Sequence, residues 1–322
     1  MTPEELVEKL YLVCLGRSAD PSGLVNATDV IRSTNDPTLV LKSILDSPEY
    51  AARISRSRAV DCGREVGQAV ALLDRRLRIV DIGAQSLAGE SHSYAALLGI
   101  LGVQVVGFDP LREKLLERAD KEAFPGLTLL PFAIGDGSSH TLHINNDDST
   151  SSLFPLNGAH NSCFDHLATL RAIRTEEVTT RRLDDVLPEG PVDFLKLDVQ
   201  GSELMVLQAA ERTLSQTAVV HCEVEFSPIY VNQPLFPSVH EFLTSHNFVL
   251  IDLLIPNRYH YIVPSGRSTQ DRLLWADAVF FHETSDSETL AVQALIAASV
   301  YKKPTLAEHL LERVRSNAAQ IS

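Results

Sequence analysis

The chain predicts an α/β fold: a mostly parallel, Rossmann-like sheet with helices on both faces and further helices at the two chain ends. Two observations carry this. From about residue 65 to 283, apolar strand-like runs alternate with helical segments, the signature of βαβ units. The first run, Ile79-Val-Asp-Ile, passes directly into the turn Gly83-Ala84, and the second ends Gly107-Phe-Asp-Pro110. Strand ends of this kind are where doubly wound folds bind ligands.

Taken in order, residues 1–60 read as a small helical module. Leu6, Leu10, Val13 and Cys14 recur at helical spacing until Gly16 breaks the pattern. Pro21 opens a second helix with Leu24, Val25 and Ile31 among its apolar positions, and a third spans Pro37 to Leu45. A piece this small holds little core alone, so it is expected to pack on the next domain or on a partner. Residues 61–283 form the main domain. Its expected strands are Arg78–Ile82, Val103–Phe108, Leu127–Ile134, Val192–Val199, Ala218–Val224, Phe248–Leu254 and Leu274–Phe281, with helices at Ser93–Leu101 and Glu203–Leu214. The stretch 136–180, rich in Ser, Thr, Asn and Asp, reads as an irregular excursion able to cover a site. Residues 284–322 read as a C-terminal extension of two helices with Pro304 between them.

Composition excludes several function classes. No window approaches the roughly 18 apolar residues of a membrane span. The acidic start MTPEELVEKL lacks a secretion-signal pattern. Four scattered cysteines (Cys14, Cys62, Cys163, Cys222) suit a reduced cytoplasm and offer no zinc spacing. A net charge of −14 repels nucleic acid and anionic lipid, and Arg171, Arg174, Arg181 and Arg182 read as a solvated face. Self-association as a homo-oligomer is compatible with the sequence.

The cofactor chemistry follows from the strand ends. Asp109 stands 26 residues after Gly83, where a carboxylate accepts the hydroxyls of an adenosine ribose. A dinucleotide would need G-x-G-x-x-G for its pyrophosphate, whereas this loop reads Gly83-Ala-Gln-Ser-Leu-Ala-Gly89. S-adenosylmethionine has no phosphate, and its amino group suits an acid such as Asp81. The expected cofactor residues at these strand ends are Asp81, Gly83, Ala84, Gln85 and Asp109.

With those ends placed, residues 78 to 282 resemble the FkbM family of methyltransferases. The likeness rests on Val80-Asp-Ile-Gly-Ala84, Gly107-Phe-Asp-Pro110, Ala133-Ile-Gly-Asp136, Thr150-Ser-Ser-Leu153 and Arg182-Leu-Asp-Asp185. Its most specific stretch is Phe194-Leu-Lys-Leu-Asp-Val-Gln-Gly-Ser-Glu203, followed by Glu223-Val-Glu-Phe-Ser-Pro-Ile-Tyr230, Gln233-Pro-Leu-Phe236 and Leu274-Trp-Ala-Asp-Ala-Val-Phe280. The resemblance implies a class I methyltransferase sheet, S-adenosylmethionine as cofactor, Ala133 and Asp136 as further cofactor residues, and a glycan or natural-product acceptor. Two departures stand out. Gln85 and Ser86-Leu87 replace the family's Asn and second Gly, and Gln200 replaces its acid, which argues against an acid–base role at position 200. Separately, Leu10–Leu24 with Ser47-Pro-Glu-Tyr50 resembles a helical module of unassigned function found in bacterial proteins, which implies a bacterial origin.

Methyl transfer to a hydroxyl needs an aligned acceptor and a group to take its proton. Period-two alternation puts Lys196 and Asp198 on one face of their strand, and a central parallel strand is ordinarily apolar on both. Asp198 is the first candidate base, with Lys196 its ion-pair partner, and Glu223 on the next strand is the second. His221 reads as a core histidine, while Asp148, Ser151, Ser152 and Tyr230 are expected to line the acceptor pocket. No H-x-x-x-H or similar spacing supports a metal, and none is expected. N-methylation of an amide or amine, a nucleotide-binding oxidoreductase and a noncatalytic scaffold remain as alternatives.

Overall fold

A computed structural model describes residues 2–15, 17–49, 62–86, 91–100 and 102–321. The helix-breaking Gly16, the domain boundary at residues 60 and 61, and Leu87 to Gly89 of the first loop lie outside the described residues. Helices α1 (Pro3–Leu15), α2 (Pro21–Thr34) and α3 (Thr38–Leu45) pack on one another around Val7, Ile31, Val40 and Ile44. Pro21 at the first turn, the Asp20 side chain accepting from Gly23 N, and left-handed Asn35 bound α2 at both ends. A helix with described residues 62–70 (α4) then leads into the sheet.

The seven-stranded sheet has the order β3-β2-β1-β6-β7-β9-β8. Its strands are β1 (Leu77–Ile82), β2 (Val103–Phe108), β3 (Leu127–Leu130), β6 (Val192–Leu197), β7 (Thr217–Glu225), β8 (Phe248–Tyr259) and β9 (Arg272–His282). β9 runs antiparallel to both β7 and β8, and the pairings among β3, β2, β1, β6 and β7 are all parallel. The centre reads as near-continuous apolar runs because both faces are covered. One face packs Ile79, Phe194, Val219 and Val279 against α4 and α11 (Ser287–Ser299). The other packs Val80, Leu195, Val220 and Phe280 against α8 (Glu203–Gln208) and α10 (Phe236–Ser245). Helix α11 is buried from Leu290 to Ser299, which explains its lack of a polar stripe. It is capped by Asp286 and followed by α12 (Pro304–Ile321), with Pro304 at its first position. No described helix is long and apolar enough to cross a membrane.

Four expected elements differ. The third strand stops at Leu130 because Pro131 cannot donate to a ladder, and Phe132 N bonds back to Leu130 O. Ser93–Leu101 yields only a 3-10 turn at Ala95–Leu97, since Tyr94 is drawn inward to Asp81. Glu203–Leu214 splits into α8 and α9 (Glu211–Leu214). The cause is Asp184, just after the start of α7 (Leu183–Val186), whose carboxylate accepts from Arg212 N and Thr213 N and caps α9 separately. The excursion 136–180 is partly regular: β4 (Ser139–Asn145) pairs antiparallel with β5 (Ala172–Thr179). β5 is exposed along nearly its whole length, so its sequence has no reason to alternate.

β8 and β9 continue beyond the ends of the parallel strands, and isolated bridges tie the excursion to this hairpin, Phe164 to Tyr261, and to the segment after β7, Leu156 to Tyr230. The short helix α6 (Gly158–Asn161) lies at that junction, with Asn161 donating to Ile229 O. Both excursions therefore rise over the carboxyl ends of the sheet.

Candidate active site

A cavity of about 400 Å³ runs across those strand ends, within the range of small-molecule sites. Its floor begins at Gly83, whose left-handed backbone (φ 78°) turns the chain off β1. A side chain there is excluded, since a Cβ would lie 1.8 Å from the Asp198 carbonyl oxygen.

The tips of β1 and β6 are locked by a buried ionic network. Asp81 and Lys196 are paired in register on adjacent parallel strands, so their side chains share a face. Asp81 is 0% exposed. It accepts from the Tyr94 hydroxyl and from Arg118 Nη1, both at 2.7 Å, and lies 3.4 Å from Lys196 Nζ. Burial opposes its charge, but Lys196 and Arg118 outweigh that and hold the carboxyl below its ordinary range. Arg118, on α5 (Arg112–Lys121), is 1% exposed and also donates to Ala84 O, joining the first loop to the helix after β2.

Lys196 donates to Gly83 O at 2.8 Å and lies 3.4 Å from Asp198 Oδ2. Burial works against its charge, yet Asp81 and Asp198 raise its pKa above the ordinary lysine value. A lysine kept protonated is a positioning group rather than a base.

Asp109 at the end of β2 is 2% exposed and lines the cavity. Leu111 N donates to Oδ1 at 2.8 Å. Burial pushes its carboxyl up to about 6, with the Leu111 amide and Gln85 acting in the opposite direction. Phe132, Ala133, Ile134 and Leu142 give the adjoining wall an apolar surface, and the Arg181 guanidinium stacks 3.8 Å from the Phe132 ring centre. Arg181, read as part of a solvated face, is thus held against the cavity wall.

The structure brings Gly83, Gln85, Asp109, Ala133, Lys196 and Asp198 to this one cavity, together with Asp148, Ser151 and Ser152 of the excursion. The other expected residues stand apart from its wall. Asp81 and Ala84 are consumed by the network beneath it. Asp136 holds a turn, its Oδ1 accepting from Ser138 N, Ser138 Oγ and Thr180 Oγ1, and a hydrogen bond from His140 lowers its pKa. Tyr230 lies below, its hydroxyl 2.7 Å from Gln200 Oε1 and 2.8 Å from Thr150 O.

Glu223 belongs to a separate acidic cluster. Among the described residues, carboxylate oxygens of Glu203, Glu223 and Glu225 all lie within 4.8 Å of one another, close enough for a cation, though no sequence spacing signals it. Gln200, left-handed at φ 54°, donates through Nε2 to Asp198 at 2.9 Å and to Glu223 at 2.7 Å. An acid at position 200 would have no proton to offer either neighbour when ionised, so the amide suits this crowd. Burial and the neighbouring acids raise all three glutamates, Glu203 to about 7.

Residues 81–250 match the methyltransferase FkbM domain. The chain belongs to the FkbM methyltransferase family. It is accordingly an S-adenosylmethionine-dependent methyltransferase, and no curated protein matches it. Solved structures similar to this FkbM protein include precorrin-6y C5,15-methyltransferase from Geobacter metallireducens (12% identity, 67% of this chain, 87% of that one, TM-score 0.32). A putative S-adenosylmethionine dependent methyltransferase from Listeria monocytogenes gives 11% identity, 70% and 98% coverage and a TM-score of 0.35. A SAM-dependent O-methyltransferase from Thermotoga maritima gives 11%, 69%, 66% and 0.30. Likeness at that level carries no argument about the acceptor.

Two residues of the FkbM site went unread in the sequence, Tyr94 and Arg118. Arg118 had a usable signal, because Leu111, Leu115 and Arg118 fall on one helical stripe and the first two are core residues. Arg118→Ala should destabilise the protein by about 3–5 kcal/mol in urea unfolding, since it leaves Asp81 buried with one cation fewer.

The acidic cluster predicts a pH dependence. Carboxyls whose pKa is higher folded than unfolded make the native state bind more protons, so their effect is to lower stability as pH rises from about 4.3 towards about 7. Glu223→Gln should raise stability at pH 8 by on the order of 1 kcal/mol and change little at pH 5, read by thermal unfolding at both values.

Proposed function

We propose that this enzyme methylates a hydroxyl of a small-molecule or glycan acceptor, with Asp198 taking the proton. The observation that carries the reading is the single cavity holding Asp109 at one point and Asp198 at another, with Lys196 fixed between the β1 and β6 tips.

The wall fits S-adenosylmethionine by its chemistry. Asp109 is a buried carboxylate given one backbone amide, with acceptor capacity left for ribose hydroxyls. Beside it the apolar surface of Phe132 to Ile134 suits an adenine ring. Ser93 and Ser202 present buried hydroxyls to the cavity with no partner in the protein. Gly83 and Gln85 flank the space next to Lys196, where the methionine part would be held. When bound, the cofactor supplies an electrophilic methyl whose transfer breaks one carbon–sulfur bond, the electron pair remaining on sulfur.

Asp198 meets the requirements of the proton acceptor. Its side chain is about one-third exposed and faces the cavity. Lys196 and the Gln200 amide hold its two oxygens, and they fix its orientation without supplying a proton donor of comparable acidity. The acceptor oxygen forms its bond to the methyl carbon as its proton passes to Asp198. We place the reaction in the cytoplasm, where the thiols of Cys14, Cys163 and Cys222 stay reduced.

Asp109→Ala should weaken S-adenosylmethionine binding by about 1.5–3 kcal/mol in calorimetric titration. In the parent protein the same affinity should fall as pH drops through about 6, because a protonated Asp109 loses acceptor strength towards the ribose. Asp198→Asn should lower turnover by about 10²–10⁴ with cofactor affinity retained. Loss of affinity with turnover intact would make Asp198 a cofactor ligand instead.

A further inference from the structure

The cavity extends well past the residues assigned to the cofactor. Strand order places β2, followed directly by Asp109, four strand spacings from β9, which carries Asp277. At ~4.8 Å per spacing that is ~19 Å, room for a second molecule end to end with the first. Both residues line the same cavity.

The far arm is built from His221, Asp277, Tyr301, Leu254, Ile255 and Val300. Five of these six lie beyond residue 250, where the match to the FkbM domain stops. The arm therefore belongs to this chain's β8–β9 hairpin and to the junction between α11 and α12.

Its polar end is tightly organised. The His221 ring packs against both Phe194 and Tyr301, with centroids 5.8 Å and 6.1 Å away, and those two rings are 6.4 Å from each other. Its Nδ1 lies 3.2 Å from the Tyr301 hydroxyl and its Nε2 lies 3.5 Å from Asp277 Oδ2. With both ring nitrogens facing partners, His221 holds a hydroxyl and a carboxylate in fixed places. Leu254, Ile255 and Val300 supply an apolar wall. The charges that border the arm are acidic, Asp198 and Asp277, and the nearby Lys196 is already matched by Asp81 and Asp198. An anionic acceptor would have to shed water beside two carboxylates, which costs several kcal/mol.

We propose that this arm is the methyl-acceptor site and takes a neutral, hydroxylated ring compound. Its hydroxyls bond to Asp277 and Tyr301, its carbon face lies on Leu254, Ile255 and Val300, and the reacting hydroxyl points back to Asp198. The assignment rests on the O-methylation reading above.

The test uses the full-length protein with [methyl-³H]S-adenosylmethionine and a cell extract separated by ion exchange into neutral, anionic and cationic pools. Two variants probe the arm. Ile255→Trp fills its mouth from a position that is 67% exposed, away from the core. Asp277→Asn keeps shape and removes charge. The expected result is label in the neutral pool. Both variants should bind cofactor within about twofold of the parent in calorimetry and transfer label about tenfold more slowly or worse. Label in the anionic or cationic pool, no labelled pool despite bound cofactor, or variants as fast as the parent would each overturn the arm assignment. A parent that binds no S-adenosylmethionine would instead sink the methyltransferase reading beneath it, a separate outcome.

Discussion

Asp81, fully buried between Arg118, Tyr94 and Lys196, is the charge around which the rest of this active site is organised. A carboxylate taken out of water is tolerated only with cations at close range. Satisfying it ties together β1, the segment after it, α5 and β6. Lys196 then reaches Gly83 O and Asp198, so the glycine turn and the proposed base are positioned by the same ammonium group. The interaction commits Asp81 to structure. It leaves Asp109, with its sparse partners and raised pKa, as the carboxylate free to bind a ligand.

Next to this paired network stands an acidic cluster with a different solution to burial. Glu203, Glu223 and Glu225 have one another for neighbours, and burial beside other acids raises the pKa of each. Gln200 mediates between the two environments, donating to Asp198 on the cavity side and Glu223 beneath it. Its left-handed backbone and that of Gly201 (φ 95°) turn the chain off β6 so that this amide lies between both acids. The departure from the family's acid at this position is therefore consistent with the local charge balance.

The cavity also divides by origin. The half around Asp109, Ala133 and Asp198 lies within the stretch shared with the family, on the tips of β2, β1 and β6 and the chain after β3. The half around Asp277 and Tyr301 comes from β9, whose Leu274–Phe280 run also resembles the family, and from the junction after α11, with α11 buried against the sheet and Tyr301 stacked on His221.

The sequence by itself determined the parallel sheet, the glycine turn at Gly83, the carboxylate Asp109 at the end of the second strand and the polar pair on β6. Each is written in local periodicity or in a residue type at a strand end, which nearest neighbours along the chain suffice to reveal. Only the tertiary structure decided which acid is free and which is spent. Asp81 and Asp109 look alike in sequence, yet Arg118, 37 residues from Asp81, neutralises one and leaves the other. The same holds for Asp136, whose partner Thr180 is 44 residues away, and for the Glu203–Glu223–Glu225 cluster, assembled from a helix and a strand. Electrostatics acts through space over a few ångströms, and chain spacing carries no record of which distant groups folding brings within that range.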